Sequence, residues 1–115
     1  LLWPLLMGGG PGALSAAGAV QLINREKAVV IDICEASEFA AGHVGGAKNV
    51  PLSQLEDKLP SVVKNKALPV ILVCQSGARS SRALAIAKKL GYDKAQSLSG
   101  GLTAWRTANL PVEKS

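Results

Sequence analysis

Aromatic and sulfur-bearing residues are scarce in this chain of 115 residues. Trp, Tyr and Phe together make up 3% of it, so a core must be built from Val, Ile, Leu and Ala. Its two cysteines and single histidine are too few for a structural zinc site, and two cysteines do not make a disulfide framework. We therefore expect free thiols in a reducing compartment, and we predict neither a metal nor another cofactor.

The sequence also lacks a Lys and Arg tract interleaved with aromatic residues. Its net charge of +5 comes from 13 basic residues spread along the chain, which argues against a nucleic-acid partner. Apolar residues make up 48% of the chain and charged residues 18%, a balance that favours a packed core over disorder. Length and composition together predict a single domain.

A continuous apolar run of about 20 residues, the length that crosses a bilayer, is missing as well. Residues 1–7 are apolar, and a glycine-rich linker follows them. We interpret residues 1–13 as the end of a membrane anchor plus linker, and residues 14–115 as the domain. A basic domain beside such an anchor favours the cytoplasmic face of an inner membrane; without the anchor we expect a cytoplasmic protein. A cleaved signal tail or a packed N-terminal arm is the alternative.

Two nearly continuous apolar runs, over residues 28–33 and 69–73, predict strands buried on both faces of a parallel sheet. Helical patterns alternate with these and with shorter strands over residues 48–50 and 95–98. The expected helices cover residues 16–24 after an N-cap at Ser15, 35–41, 54–59, 79–90 and 102–108. This alternation predicts an α/β fold, with a central parallel sheet and helices on both faces.

Some local signals refine this outline. Ser53 and the glutamate that follows it at the third position predict a capping box for the helix over residues 54–59, and Pro60 is expected to disturb the end of that helix. The tail after Pro111 is expected to be loose.

Asp32, Cys34 and Cys74 all follow the ends of predicted strands. Because sites in open parallel sheets lie beyond the carboxyl ends of the strands, we expect these residues to meet at one rim. After Cys74 comes a loop with Gly77, and a helix that opens near Arg79. Backbone N–H groups and a helix N-terminus favour a thiolate, or a negative group carried on its sulfur. An inert buried cysteine is the alternative, and it explains neither the glycine nor the Ser- and Arg-rich helix start.

The spacing from Cys74 to Arg79 bears on the chemistry. Enzymes of the protein tyrosine phosphatase type place five residues between the cysteine and the arginine, and here four intervene. The tighter loop favours a sulfur atom over a phosphoryl group. A phosphatase or arsenate reductase would also need a general-acid aspartate nearby, for which Asp57 and Asp93 are unpersuasive candidates.

Four motifs in order resemble those of rhodanese-like sulfurtransferases. In chain order they are the segment over residues 32–51, the loop Cys74-Gln75-Ser76-Gly77-Ala78-Arg79-Ser80-Ser81, Gly91-Tyr92, and residues 99–105. The resemblance covers residues 14–112 and implies a single rhodanese-like domain. An apolar segment and glycine linker before one such domain also resembles a bacterial subgroup anchored by one membrane helix.

The resemblance implies that Cys74 takes sulfane sulfur from a donor such as thiosulfate, holds it as a persulfide, and passes it to cyanide or a thiol, including a protein thiol. It implies a persulfide cradle made of Gln75, Ser76, Gly77, Ala78 and Arg79, and structural rim residues Asp32, Glu38 and His43. We expect Arg79 mainly to hold the shape of the loop. A general-base role for His43 is the alternative, and a tethered interaction module with little catalysis is the competing function.

The chain departs from the family pattern at Cys34, where arginine is usual. We interpret Cys34 as a neutral replacement of a structural ion-pair residue, which leaves Glu35 or Glu38 to pair differently. The alternative is a second thiol that resolves or relays the persulfide.

Overall fold

The computed structural model describes residues 13–75 and 78–114. Its strands are β1 (Ala13–Leu14), β2 (Val29–Asp32), β3 (His43–Val44), β4 (Lys48–Asn49), β5 (Val70–Val73), β6 (Ala95–Leu98) and β7 (Val112–Glu113). Five of them form a parallel sheet in the order β1-β6-β5-β2-β4, and β3 and β7 form a separate antiparallel pair. The predicted parallel sheet is confirmed, with β5 at its centre.

Five α-helices lie in the described ranges, and they cover both faces of the sheet. They are α1 (Ala16–Glu26), α2 (Ala36–Ala41), α3 (Leu55–Val62), α4 (Ala78–Lys89) and α5 (Gly101–Thr107). Successive side chains of a strand point to opposite faces, so Val70 and Leu72 pack with α3 and α4, while Ile71 and Val73 pack with α1 and α5. Each such buried aliphatic side chain contributes about 1.5–3 kcal/mol.

The predicted cap of the first helix is confirmed. The Ser15 hydroxyl accepts a hydrogen bond of 3.0 Å from the Gly18 N–H group, and this satisfies one of the unpaired donors at the start of α1.

The predicted capping box at Ser53 is wrong. Pro51 leads into a 3-10 turn over Leu52–Gln54, whose last N–H group donates to the Pro51 carbonyl at 2.8 Å, so Ser53 lies inside this turn. The helix α3 begins after the turn and continues through Pro60 to Val62. Pro60 therefore removes one hydrogen bond from the helix without ending it.

Val112–Glu113 form a strand, where the sequence predicts a loose tail. The indole Nε1 of Trp105 donates to the Pro111 carbonyl at 2.7 Å, and the segment then pairs with β3 as β7. A strand of two residues is too short to leave a periodic pattern, and this pairing could therefore not be predicted from the sequence.

The predicted membrane anchor and linker cover residues 1–13. Residues 1–12 lie outside the described residues, and Ala13 begins β1. Over the described ranges, no helix has both the length and the apolar character that crossing a bilayer requires.

Candidate active site

Cys74 lies directly after the central strand β5, and α4 begins at Ala78. The residue is 1% exposed, so its thiol is buried. The N-terminal turn of a helix carries unpaired N–H groups and a partial positive charge, which here lie just after the cysteine in the chain. Ser76 and Gly77, both predicted cradle residues, fall outside the described residues.

The segment at Cys74 rests on the start of α5. The Cys74 carbonyl accepts a hydrogen bond of 2.8 Å from the Leu102 N–H group, and the Gln75 carbonyl accepts bonds of 3.1 and 3.0 Å from the N–H and hydroxyl groups of Thr103. A methyl group on Gly101 would meet the Cys74 carbonyl oxygen directly, and Gly101 has a φ of +57°. Glycine is therefore required here for both space and conformation.

Arg79 lies in the first turn of α4 and forms a two-point ion pair with Glu38 on α2. Its Nη1 and Nη2 atoms donate to the two carboxylate oxygens at 2.9 and 3.0 Å. These hydrogen bonds lower the pKa of Glu38 to about 2. The arrangement supports the expected role of Arg79 in holding the loop, and it identifies Glu38 as the carboxylate that pairs in the absence of the usual arginine.

Cys34 meets the segment at Cys74 at the rim of the sheet, as the sequence predicts. Its sulfur lies 3.6 Å from Nη2 of Arg79 and 4.0 Å from Nε2 of Gln75. The residue is fully buried. Burial first, and then the neighbouring carboxylate of Asp32, raise the pKa of the Cys34 thiol to about 12.

Asp32 ends β2 and is buried. Its Oδ1 atom accepts a hydrogen bond of 2.9 Å from the Cys34 N–H group. Burial raises the pKa of the carboxyl, while this hydrogen bond acts in the opposite direction. Asp32 therefore shapes the chain after β2, which supports its predicted place in the rim.

Sequence reasoning missed the role of Asn49. This role depends on the pairing of β4 with β2, which brings the Asn49 side chain to the end of β2. Its Nδ2 atom donates to the carbonyls of Asp32 and Cys34 at 3.0 and 2.9 Å. One side chain thus closes the turn that carries both rim residues. The only available signal was an amide residue at the end of a short strand, which is too common to indicate a role.

His43 is buried between α2 and β7. Its Nδ1 atom donates to the Phe39 carbonyl at 2.7 Å, its ring stacks on that of Phe39 with 3.7 Å between centroids, and its Nε2 atom lies 3.8 Å from Oε1 of Glu113. These contacts support the predicted bracing role of His43 and give no support to the general-base alternative.

A groove of about 500 Å³ opens beside Arg79. Its lining residues are Ile33, Glu35, Leu52, Ser53, Glu56, Arg79, Arg82 and Ile86. The groove carries both signs of charge and has room for a small anion or an extended side chain. Two aspartates were considered for a phosphatase. Asp93 lies in the turn before β6, at the amino ends of the strands, whereas Cys74 lies at their carboxyl ends. Asp57 is exposed on α3.

Comparisons with known proteins show what the chain is similar to. The chain is 42% identical over 79 residues to the uncharacterized protein YqhL of Bacillus subtilis, a match that covers 69% of this chain and 61% of YqhL. It is 36% identical over 95 residues to the thiosulfate sulfurtransferase GlpE of Pseudomonas putida, which covers 83% of this chain and 84% of GlpE.

Among solved structures, the human single-domain sulfurtransferase TSTD1 is similar to this chain with a TM-score of 0.75 and 26% identity, over 85% of this chain and 97% of that one. The chain spans only part of several curated relatives, namely 61% of YqhL and 52% of the protein slr1261 of Synechocystis. The model of the rhodanese-like domain matches residues 15–108, and the chain belongs to that family.

Proposed function

We propose that the chain is a rhodanese-type sulfurtransferase in which Cys74 carries sulfane sulfur as a persulfide. The observation that carries the proposal is the position of Cys74, buried between the end of the central strand and the start of α4. A thiolate is the reactive form of cysteine, and the N–H groups of a helix N-terminus stabilise it. The same groups can stabilise a persulfide anion, so the position suits both states of the enzyme.

With thiosulfate as donor, the Cys74 thiolate attacks the outer sulfur, a new S–S bond forms, and sulfite leaves with the electron pair of the broken bond. In the second half of the cycle, cyanide or a thiolate attacks the outer sulfur of the persulfide and the Cys74 thiolate is the leaving group. No external oxidant or reductant is needed, because the sulfane sulfur keeps its oxidation state in transfer to cyanide.

The surrounding residues have separate proposed roles. The proposed role of the cradle predicted from the sequence, residues 75–79, is to stabilise the outer sulfur through its N–H groups. Arg79 fixes the start of α4 through Glu38, and the charge of Arg79 also acts on Cys74. Asp32 and His43 hold the rim through the contacts described above. The groove beside Arg79 is the proposed route for the donor and the acceptor.

The relatives support this proposal. GlpE of Pseudomonas putida is named as a thiosulfate sulfurtransferase, and a relative in Allochromatium vinosum, 30% identical over 92 residues, is named as a sulfurtransferase. Thiosulfate is therefore the first donor to test, with cyanide and a low-molecular-weight thiol as acceptors.

Intact-mass spectrometry after incubation with thiosulfate tests the proposal. The wild-type domain should gain the mass of one sulfur atom, Cys74→Ser should gain nothing, and Cys34→Ser should still gain it. Adding cyanide should remove the extra mass and yield thiocyanate. No adduct on the wild type, together with no thiocyanate, would contradict the proposal for this donor and favour the interaction module. Hydrolysis of an aryl phosphate would favour the phosphatase alternative.

We also propose that residues 1–7 continue a membrane anchor that holds the domain at the cytoplasmic face of an inner membrane. Support comes from their apolar sequence and from the glycine-rich linker after them. Fractionation of cells that express the intact parent protein tests this. Recovery in the membrane fraction is expected, and recovery in the soluble fraction would contradict the anchor.

A further inference from the structure

We propose that Cys34 resolves the Cys74 persulfide, which releases hydrogen sulfide and leaves a Cys34–Cys74 disulfide. The inference rests on the proposed function, because the step begins from the persulfide. When no acceptor is present, the persulfide thus has a second fate. The sulfane sulfur leaves as sulfide, and the two cysteines end as a disulfide.

The sheet register brings the two cysteines together. β2 and β5 are neighbouring parallel strands in which Asp32 pairs with Val73, and the Ile33 N–H group donates to the Val73 carbonyl at 2.9 Å. Cys34 is thus one residue beyond the position opposite Cys74. Both cysteines lie just past the paired ends of two neighbouring strands, and such strands are about 4.8 Å apart. Disulfides span Cα distances of roughly 4.4–6.8 Å.

The surroundings of the two sulfurs are shared as well. Cys34 and Cys74 belong to one buried cluster, and neither is in a disulfide. Gln75, which directly follows Cys74, and Arg79 both direct N–H groups towards the Cys34 sulfur, at 4.0 and 3.6 Å. The Arg79 guanidinium acts electrostatically on both sulfurs. The Cys34 sulfur therefore faces the segment that would carry the persulfide.

Asp32 is positioned to accept the proton of Cys34. Its Oδ1 atom accepts a hydrogen bond of 2.9 Å from the Cys34 N–H group, and the carboxylate acts electrostatically on the Cys34 thiol. The other ionisable groups that act on this pair are Arg79, Glu38 and His43. Because a buried carboxylate beside the thiol is a better proton acceptor than an exposed one, Asp32 can serve as the base for an otherwise weakly acidic thiol.

The step balances without an added oxidant. The Cys34 sulfur attacks the inner sulfur, Sγ of Cys74, as its proton passes to Asp32. A bond forms between the two cysteine sulfurs, and the bond from Cys74 to the outer sulfur breaks. The outer sulfur takes the electron pair and the proton, and it leaves as sulfide. It gains one electron and the Cys34 sulfur loses one, while the Cys74 sulfur is bonded to another sulfur before and after the step and keeps its oxidation state.

Burial favours this outcome over a relay in which sulfur moves onto Cys34. A persulfide anion on Cys34 would be a charge in a fully buried position beside the Asp32 carboxylate. A disulfide is neutral, so it avoids the free-energy cost of placing a charge in this buried position.

The test follows the wild-type domain, Cys34→Ser and Cys34→Ala under anaerobic conditions. Each protein is loaded with thiosulfate, freed of the donor by gel filtration, and held without acceptor. Non-reducing intact mass and a sulfide assay are recorded over time. We expect the wild type to lose the added sulfur, release one equivalent of sulfide, and finish two hydrogens lighter than the reduced protein. Both variants should keep the sulfur at least about tenfold longer. A peptide map of the wild type should give a Cys34–Cys74 cross-linked peptide.

The outcomes separate this inference from the function on which it rests. A loaded sulfur that persists equally in all three proteins, or extra sulfur mapped to Cys34, would overturn the inference and leave the sulfurtransferase proposal standing. Failure of every protein to load would contradict the sulfurtransferase proposal and this inference together. The peptide map needs only the wild type, so a variant that folds poorly does not weaken the test.

Discussion

Arg79 and Glu38, which are 41 residues apart in the chain, are joined by two parallel hydrogen bonds of 2.9 and 3.0 Å. The pair links the first turn of α4 to α2, and so it connects the helix after Cys74 to the helix after Cys34. A planar guanidinium can contact both oxygens of a carboxylate at once, which fixes the orientation of the arginine side chain.

Arg79→Lys should lower the rate of sulfur transfer while leaving a folded domain. Lysine keeps the positive charge but cannot make the two-point contact, so the start of α4 is held less firmly. We expect kcat/KM for thiosulfate and cyanide to fall about tenfold. Arg25→Lys, on the exposed end of α1, is the matched control and should leave the rate unchanged. Equal rates in wild type and Arg79→Lys would rule out the positioning role.

The Glu38 carboxylate should stabilise the fold at neutral pH and lose this stabilising effect in acid. Its pKa is lowered from 4.5 to about 2 in the folded protein, so its contribution is complete above pH 4.5 and disappears as the pH falls towards 2. Arg79 and Glu38 are 40% and 34% exposed, and solvent screening limits the contribution to about 1 kcal/mol. Urea unfolding of wild type and Glu38→Gln from pH 2 to 7 measures it. A difference in unfolding free energy that does not change with pH would argue against the ion pair as its source.

Gly101→Ala should disrupt the floor beneath Cys74. The added methyl group would meet the Cys74 carbonyl oxygen, and the Gln75 carbonyl lies within 2.9 Å of it. We expect a loss of about 3 kcal/mol or more in unfolding free energy, together with loss of sulfur transfer. Gly46→Ala is the control, because Gly46 also has a positive φ, +81°, but has nothing within 4 Å of an added methyl group.

The Gly46→Ala variant should show only the conformational cost of about 1–2 kcal/mol and should keep its activity. If both variants lost the same stability and both remained active, steric contact with the Cys74 carbonyl would not be the reason for Gly101.

His43→Gln separates bracing from catalysis. A structural His43 predicts a loss of about 1–3 kcal/mol in unfolding free energy, because the stacking on Phe39 and the buried hydrogen bond are weakened. The shape of the kcat pH profile should then stay as in the wild type. A profile that loses one ionisation, in a variant as stable as the wild type, would instead identify His43 as a general base.

The sequence was most informative where a local pattern repeats. The apolar run at residues 69–73 predicted β5 at Val70–Val73, and helical spacing over residues 79–90 predicted α4 at Ala78–Lys89. Strand ends then placed Asp32, Cys34 and Cys74 at one rim, since the carboxyl ends of parallel strands lie along one edge.

The contacts that the sequence missed join residues far apart in the chain. The bond from the Thr103 hydroxyl to the Gln75 carbonyl spans 28 positions, and the bonds from Asn49 reach back 15 and 17 positions. Such contacts leave no periodic signal, because they depend on how complete elements pack. The wrong prediction at Ser53 has another cause. The sequence around Ser53 fits a helix cap, but Pro51 leads into a 3-10 turn that already contains Ser53.

The floor of the site is built mainly from backbone groups. The carbonyls of Cys74 and Gln75 are held by N–H groups of Leu102 and Thr103, which any residue but proline would supply. The side chain at position 75 can therefore be exchanged without removing the bonds that support its backbone. If the proposed sulfur transfer holds, substitutions at this position should alter donor and acceptor preference while the fold beneath it stays intact.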